Sequence, residues 1–151
     1  MIDQSQGFQT KNKNCTVQLT KHFDREPVLY TCNPQELDRV LMNLFSNALY
    51  ALEKRNEKEG GAYQPELSVT INSTKHGIEI IVQDNGTGIS APLQEKIFQP
   101  FFTTKPANQG TGLGLSISFD IITKAFGGEL TVASEENRFT TFTIRLPLHS
   151  G

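Results

Sequence analysis

From residue 33 onward the spacing of apolar side chains is clear. Asn33 can cap a helix, Pro34 suits its first turn, and Glu36 stands at the capping-box position. Leu37, Val40, Leu41, Leu44, Phe45, Ala48, Leu49 and Leu52 then recur at helical spacing, so a long helix with one apolar face is predicted. Gly60 and Gly61 end it. Leu67, Val69 and Ile71 alternate with polar neighbours, as do Ile78, Ile80 and Val82. This predicts two strands joined by a turn near Ser73–Gly77. A second helix is predicted from about Leu113 to Phe126. Its apolar residues run almost all round it, so it should be largely buried before Gly127 and Gly128 stop it. Two strands follow, about Glu129–Ser134 and Phe139–Leu146. Ahead of the long helix, residues 14–23 and 27–32 are β-branched and aromatic around Asp24–Pro27, which predicts a hairpin. Residues 1–13 are polar and read as a frayed end or linker remnant, leaving a domain at 14–148 and a tail at 149–151. Helices and hairpins do not simply alternate, so the expected class is α/β (α+β), a two-layer sandwich.

Composition narrows the function classes. The 151 residues suit one core, with 36% hydrophobic and 20% charged residues. A net charge of −2 implies no bulk attraction to nucleic acid or membrane. No apolar run is long enough to span a bilayer, and no signal peptide opens the chain. Cys15 and Cys32 are not at metal-ligand spacing and read as reduced thiols, in a cytosolic setting.

Several polar residues sit where a core would not place them. Asn43 and Asn47 lie one turn apart on the first helix, beside its apolar stripe. Asparagine is a poor helix-interior residue, because its side chain competes for the backbone. The pair forms either a solvated face or a set of amide oxygens aimed into a cavity, where oxygen ligands suit Mg2+. Asp84 shares parity with Ile78, Ile80 and Val82, so its carboxylate should leave the strand on the apolar side. It either bonds its own loop in an Asx-type turn or accepts a hydrogen bond from an exocyclic amine such as that of adenine. Gly86 and Gly88 follow at once and allow close backbone approach.

Residues 85–112 are rich in glycine and proline, and a connection this long inside one domain is usually functional. Within it, Phe98, Phe101 and Phe102 either pin the loop locally or anchor a lid from which Lys105 reaches a phosphate. The run from Gly110 to Ser116 opens the second helix, where free amides and the helix dipole make an anion site; tight helix packing is the alternative. It is not a Walker loop, since no Lys-Ser or Lys-Thr follows, and it is not a dinucleotide fingerprint.

Taken in order, these pieces are specific. The chain resembles the catalytic, ATP-binding domain of sensor histidine kinases, within the Bergerat-fold ATPase superfamily. LMNLFSNALYAL (41–52) looks like the N box, and DNGTGI (84–89) like the first glycine box. IFQPFFTTK (97–105) looks like the F box, and GTGLGLSIS (110–118) like the second glycine box. The resemblance spans about residues 14–148. It implies a mixed, mostly antiparallel sheet covered by about three helices, with a nucleotide lid. It further implies that Asn47 ligands Mg2+ and that Asn43 assists at the same phosphate and metal network. Asp84 would recognise the adenine amine, with Gly86, Gly88, Ile89 and Phe98 around the pocket. Lys105 would be a mobile γ-phosphate contact, and Gly110, Thr111, Gly112, Leu113, Gly114 and Leu115 would line the phosphates. Asn43 and Lys105 are the residues implied to act in catalysis, with ATP and Mg2+ as cofactors.

Three departures sharpen the reading. Hydrolytic branches of the superfamily carry a glutamate four residues before the metal-binding asparagine. Here that position is Asn43, which cannot act as a general base, so slow ATP hydrolysis is expected. Tyr50 stands where many histidine kinases place a Lys or Arg near the phosphates. Histidine kinases also carry an acceptor histidine followed by Glu or Asp, whereas His22, His76 and His149 precede Phe23, Gly77 and Ser150. The acceptor would therefore lie on a dimerisation domain outside this chain, with a response regulator downstream. The isolated domain would be a monomer, its parent a homodimer, and a membrane-anchored parent is compatible. A non-catalytic ATP-sensing module and an anti-sigma-type serine kinase are the competing readings.

Overall fold

The computed structural model describes residues 3–9, 16–23, 34–100, 102 and 114–147. Six strands form one sheet: β1 (Asp3–Gln9), β2 (Thr16–Phe23), β3 (Glu66–Thr74), β4 (Gly77–Asp84), β5 (Glu129–Glu135) and β6 (Phe139–Pro147), in the order β1-β2-β3-β4-β6-β5. Only β2 and β3 run parallel. The long helix α1 (Pro34–Glu59) lies between those two in the chain, as a parallel pair requires of its crossover. The other pairings are antiparallel. Two shorter helices follow: α2 (Ala91–Gln94) and α3 (Gly114–Asp120), the latter continuing as a π turn over Ile121–Ala125. This is the predicted two-layer sandwich with a mixed, mostly antiparallel sheet.

The core lies between one sheet face and the helices. On α1 it is the row Val40, Leu44, Ala48 and Leu52, none more than 3% exposed. From the sheet come Ile80, Val82, Phe142, Ile144 and Leu146, with Ile122 from the π turn. Fully burying a side chain of this size contributes roughly 1.5–3 kcal/mol, so these rows hold the layers together. The other sheet face carries Gln83, Thr131 and Arg145, all exposed. Gly60 ends α1 at φ +66°, a left-handed conformation that glycine adopts without strain.

Three expectations change. Residues 3–9, read as part of a frayed end, form β1 and pair with β2. The sheet neighbours of β2 are therefore β1 and β3, and the second arm expected at 27–32 lies outside the described residues. On α3 the deeply buried residues are Ser116 and Ser118, while Leu115, Ile117 and Phe119 are only partly buried. Small side chains let α3 approach α1 closely, and hydrogen bonds satisfy their hydroxyls. Asn33, Cys15 and Cys32 lie outside the described residues.

Candidate functional site

One face of α1 organises the site. Asn43, Asn47, Ala51 and Arg55 follow at intervals of four, so they stack along the helix beside the core row. Asn43 donates from Nδ2 to the Gly114 carbonyl at 3.1 Å and to Ser118 Oγ at 3.0 Å. The Ser118 hydroxyl in turn donates to the Gly114 carbonyl at 2.8 Å. Asn43 thus fastens the start of α3 to α1, and its amide oxygen has no hydrogen bond among the described residues. Asn47, one turn on, is partly buried and has no side-chain hydrogen bond among the described residues. Tyr50 has Lys54 Nζ 5.4 Å from its ring centroid.

Asp84 closes β4 on the apolar side, as parity requires, and is 3% exposed. Its Oδ1 accepts from the Gly86 amide at 2.8 Å, the Asx-type contact with its own loop. No cation pairs with it among the described residues, and its second oxygen has no hydrogen-bond partner there. Burial pushes the carboxyl up to about 7 from its ordinary 3.8, and the Gly86 N–H pulls part of the way back. Thr140 on β6 is the cross-strand partner of Asp84 and is 4% exposed. Its hydroxyl lies 3.0 Å from Ser134 Oγ.

The glycines after Asp84 are required by packing. A Cβ on Gly86 would lie 2.7 Å from the Cβ and carbonyl carbon of Ala51, the third residue of the α1 row. Gly88 has φ +70°, and a Cβ there would lie 2.3 Å from the Glu135 carbonyl oxygen. The loop is stitched to the β5–β6 turn. Asn137 N–H donates to the Thr87 carbonyl at 2.6 Å, and Ile89 N–H donates to Ser134 Oγ at 2.8 Å. The Gln94 amide donates to the Ile89 carbonyl at 2.8 Å and the Ser134 carbonyl at 3.0 Å. Ile89 itself packs against the core.

Gly114 differs: a Cβ there would meet Asn43 at 3.7 Å, an ordinary contact. Leu115 turns its side chain against the core. Phe98 also faces inward, its ring 5.1 Å from that of Phe119 and 6.4 Å, edge-on, from that of Phe142. Ile97 is 4% exposed, and Phe102 packs partly buried against the core. Phe98 and Phe102 thus anchor this segment to the core. Lys105, Gly110, Thr111, Gly112, Leu113 and Phe101 lie outside the described residues.

Some residues of the site escaped sequence reasoning. Arg55 was not singled out in the sequence, although its spacing from Asn43 and Asn47 continues their row. Thr140 shares parity with Phe142, Ile144 and Leu146, so a polar side chain at an inward position was the available signal. Of the histidines, His76 is exposed in the β3–β4 turn, His22 lies on β2, and His149 is outside the described residues. The described residues contain no cluster of three or more His, Cys, Asp or Glu able to hold a metal, and no helix long and apolar enough to cross a membrane.

Comparison with known proteins gives this geometry its context. Residues 32–150 match the model of the family described as histidine kinase-, DNA gyrase B-, and HSP90-like ATPase. The chain is 34% identical over 151 residues to the sensor histidine kinase ZraS of Escherichia coli O157:H7, covering 99% of this chain and 30% of that protein. It is 36% identical over 141 residues to the signal transduction histidine-protein kinase AtoS of Escherichia coli strain K12, covering 93% and 21%. It therefore spans under a third of the length of these relatives. Among solved structures, a nucleotide-free form of the catalytic domain of histidine kinase ThkA superposes with a TM-score of 0.71 at 30% identity, covering 89% of this chain and 81% of that one. The mycobacterial sensor histidine kinase MprB, at 23% identity and a TM-score of 0.69, covering 89% and 84%, shares the fold. The α1 row, the buried carboxylate closing β4 and the glycine-bearing loop after it thus lie on a known scaffold: the chain belongs to the histidine kinase-, DNA gyrase B- and HSP90-like ATPase family, and within it is an ATP-binding domain of the histidine-kinase kind.

Proposed function

We propose that this domain holds ATP with Mg2+ and presents the γ-phosphate to a histidine on a separate dimerisation domain, from which a response regulator is phosphorylated. The observation that carries the reading is Asp84: a carboxylate 3% exposed, with no cation beside it among the described residues and one oxygen engaged only by its own loop. Burying a carboxylate this way is unfavourable unless something completes its hydrogen bonding. An adenine amine would do so, and a guanine carbonyl at the same place would not. Thr140, beside it on β6, adds a hydroxyl to the same face.

The other roles follow the layout of α1. Asn47 offers an uncommitted amide oxygen, a donor that suits a hard cation, and fits Mg2+ carried on the phosphates. When bound, Mg2+ would neutralise phosphate charge. Asn43 would hold the second glycine box against α1, with its remaining oxygen facing the same network. Gly114 is not required by its described neighbours, so approach of a phosphate to the backbone accounts for the missing side chain. Gly110, Thr111, Gly112 and Leu113 would continue that contact, and Lys105 would reach the γ-phosphate. Phe98, Ile89 and Leu115 would support the pocket from behind through packing. Phosphoryl transfer asks the protein chiefly for position and charge, which this set supplies. A cytoplasmic location fits such a partner set.

Calorimetric titration with a non-hydrolysable ATP analogue, with and without Mg2+ and against a GTP analogue, tests the site. Saturable, adenine-selective binding is expected, and its absence would overturn the reading. Adding the helical hairpin that bears the acceptor histidine, with ATP, should then phosphorylate that histidine. Binding without transfer would leave a nucleotide sensor instead of a kinase.

A further inference from the structure

We propose that Arg55 is a positioning residue for adenine recognition, acting on Asp84 through the single peptide group that joins Asn85 to Gly86. This rests on the adenine role proposed for Asp84. The two ends of that peptide point opposite ways. Its N–H, on Gly86, donates to Asp84 Oδ1 at 2.8 Å. Its carbonyl, on Asn85, accepts from Arg55 Nη1 at 2.9 Å and from the Tyr63 hydroxyl at 2.8 Å. A peptide is planar and rigid, so fixing the carbonyl fixes the N–H. A cation on the carbonyl also polarises the group and strengthens the N–H as a donor. Arg55 therefore sets both the direction and the strength of the one hydrogen bond that Asp84 accepts among the described residues.

The geometry is over-determined around the guanidinium. Nη1 also lies 3.3 Å from the Gly86 carbonyl and 3.4 Å from that of Arg138 in the β5–β6 turn. Nε bonds Glu59, and the guanidinium carbon lies 4.8 Å from the Tyr63 ring centroid. The side chain is 18% exposed, so solvent screens it little. A solvated arginine on a charged helix would converge on none of these groups.

The test is ADP affinity of folded protein, by calorimetry, for wild type, Arg55→Met, Arg55→Lys, Tyr63→Phe, Asp84→Asn and the Arg55→Met/Asp84→Asn double variant. Wild type must bind ADP; if it does not, the adenine reading itself fails. Given binding, Arg55→Met is expected to weaken ADP roughly tenfold, with Lys partly restoring it. Tyr63→Phe removes one donor from the same carbonyl and should lose affinity in the same direction, by about two- to fivefold. In the Asp84→Asn background the Arg55 change should add little, since residues acting through one contact are non-additive. Unchanged affinity in folded Arg55→Met, or an undiminished loss without Asp84, would overturn the inference. Should Arg55→Met fail to fold, the Lys and Tyr63→Phe variants decide: wild-type affinity in both overturns it.

Discussion

The raised pKa of Asp84 makes a quantitative demand on nucleotide binding. An adenine amine donates, so it binds the ionised carboxylate better than the acid. With a carboxyl at about 7 in the free protein, the ionised fraction falls from about nine-tenths at pH 8 to about one-tenth at pH 6. Affinity should therefore be greatest above pH 7 and drop as pH falls through it, by up to about tenfold across those two units. That is roughly 1.4 kcal/mol, within the range for a hydrogen bond to a charged group. Binding near pH 7 should also expel about half a proton per complex.

The nucleotide's phosphates titrate in the same window, so the assay needs an internal reference. Asp84→Asn supplies it. The variant should bind at least tenfold more weakly at pH 8, because the amide lacks the charge and can present a donor to a donor. Its residual pH dependence then belongs to the nucleotide alone. Calorimetric titration with ADP at pH 6, 7 and 8, in buffers of different ionisation enthalpy, reads both affinity and proton release. A wild-type pH dependence no steeper than that of Asp84→Asn, with no extra proton released, would refute the reasoning.

Further outcomes follow from the same contacts. In the free domain the sign is opposite to that of a salt-bridged acid: a carboxyl raised from 3.8 to about 7 favours folding fully below pH 3.8, and that contribution is lost as pH rises through 7, a span of roughly 4 kcal/mol at most. Denaturant melts at pH 8 should accordingly find Asp84→Asn more stable than wild type, and lower stability would contradict the burial argument. Asn43→Ala breaks two bonds to α3 and should reduce stability by about 1–3 kcal/mol in the same melts. Asn47→Asp should leave stability nearly unchanged but shift the Mg2+ titration of nucleotide binding; an identical titration removes Asn47 from the metal. The isolated domain should hydrolyse ATP slowly, since no carboxylate stands at position 43, and a phosphate-release rate comparable to turnover by the hydrolytic branches would refute that.

Most of the fold was legible because burial imposes a period. Ile78, Ile80 and Val82 announced β4, and the same parity placed Asp84 inward before any coordinates. Strand β1 was missed because DQSQGFQ is polar and carries no alternation to detect; its place is set by pairing with β2 at the sheet edge. Tertiary partners were the other blind spot. The hold of Asn43 on α3 was not legible because its partner, Ser118, lies 75 positions away, and Arg55 was passed over because the carbonyls it meets lie on another loop. The packing of Phe98 on Phe119 and Phe142 was likewise invisible in the sequence, since those partners lie 21 and 44 positions away.

These misses and hits share one physical origin in α1. Asn43, Asn47, Ala51 and Arg55 are successive members of one row, and each meets a different part of the site. Asn43 holds the start of α3, Asn47 is left uncommitted, Ala51 receives the Gly86 backbone, and Arg55 holds the peptide that aims Asp84. With a rise of about 1.5 Å per residue, the row extends over roughly 18 Å, and in the proposed reading Asn47 would serve the metal and Arg55 the base from one rigid rail. The rail cannot shift without opening the core, because the neighbouring row Val40, Leu44, Ala48 and Leu52 is buried against the sheet. A site built this way tolerates a different Ala51 poorly. Any larger side chain there would push the Gly86 backbone away and take Asp84 with it.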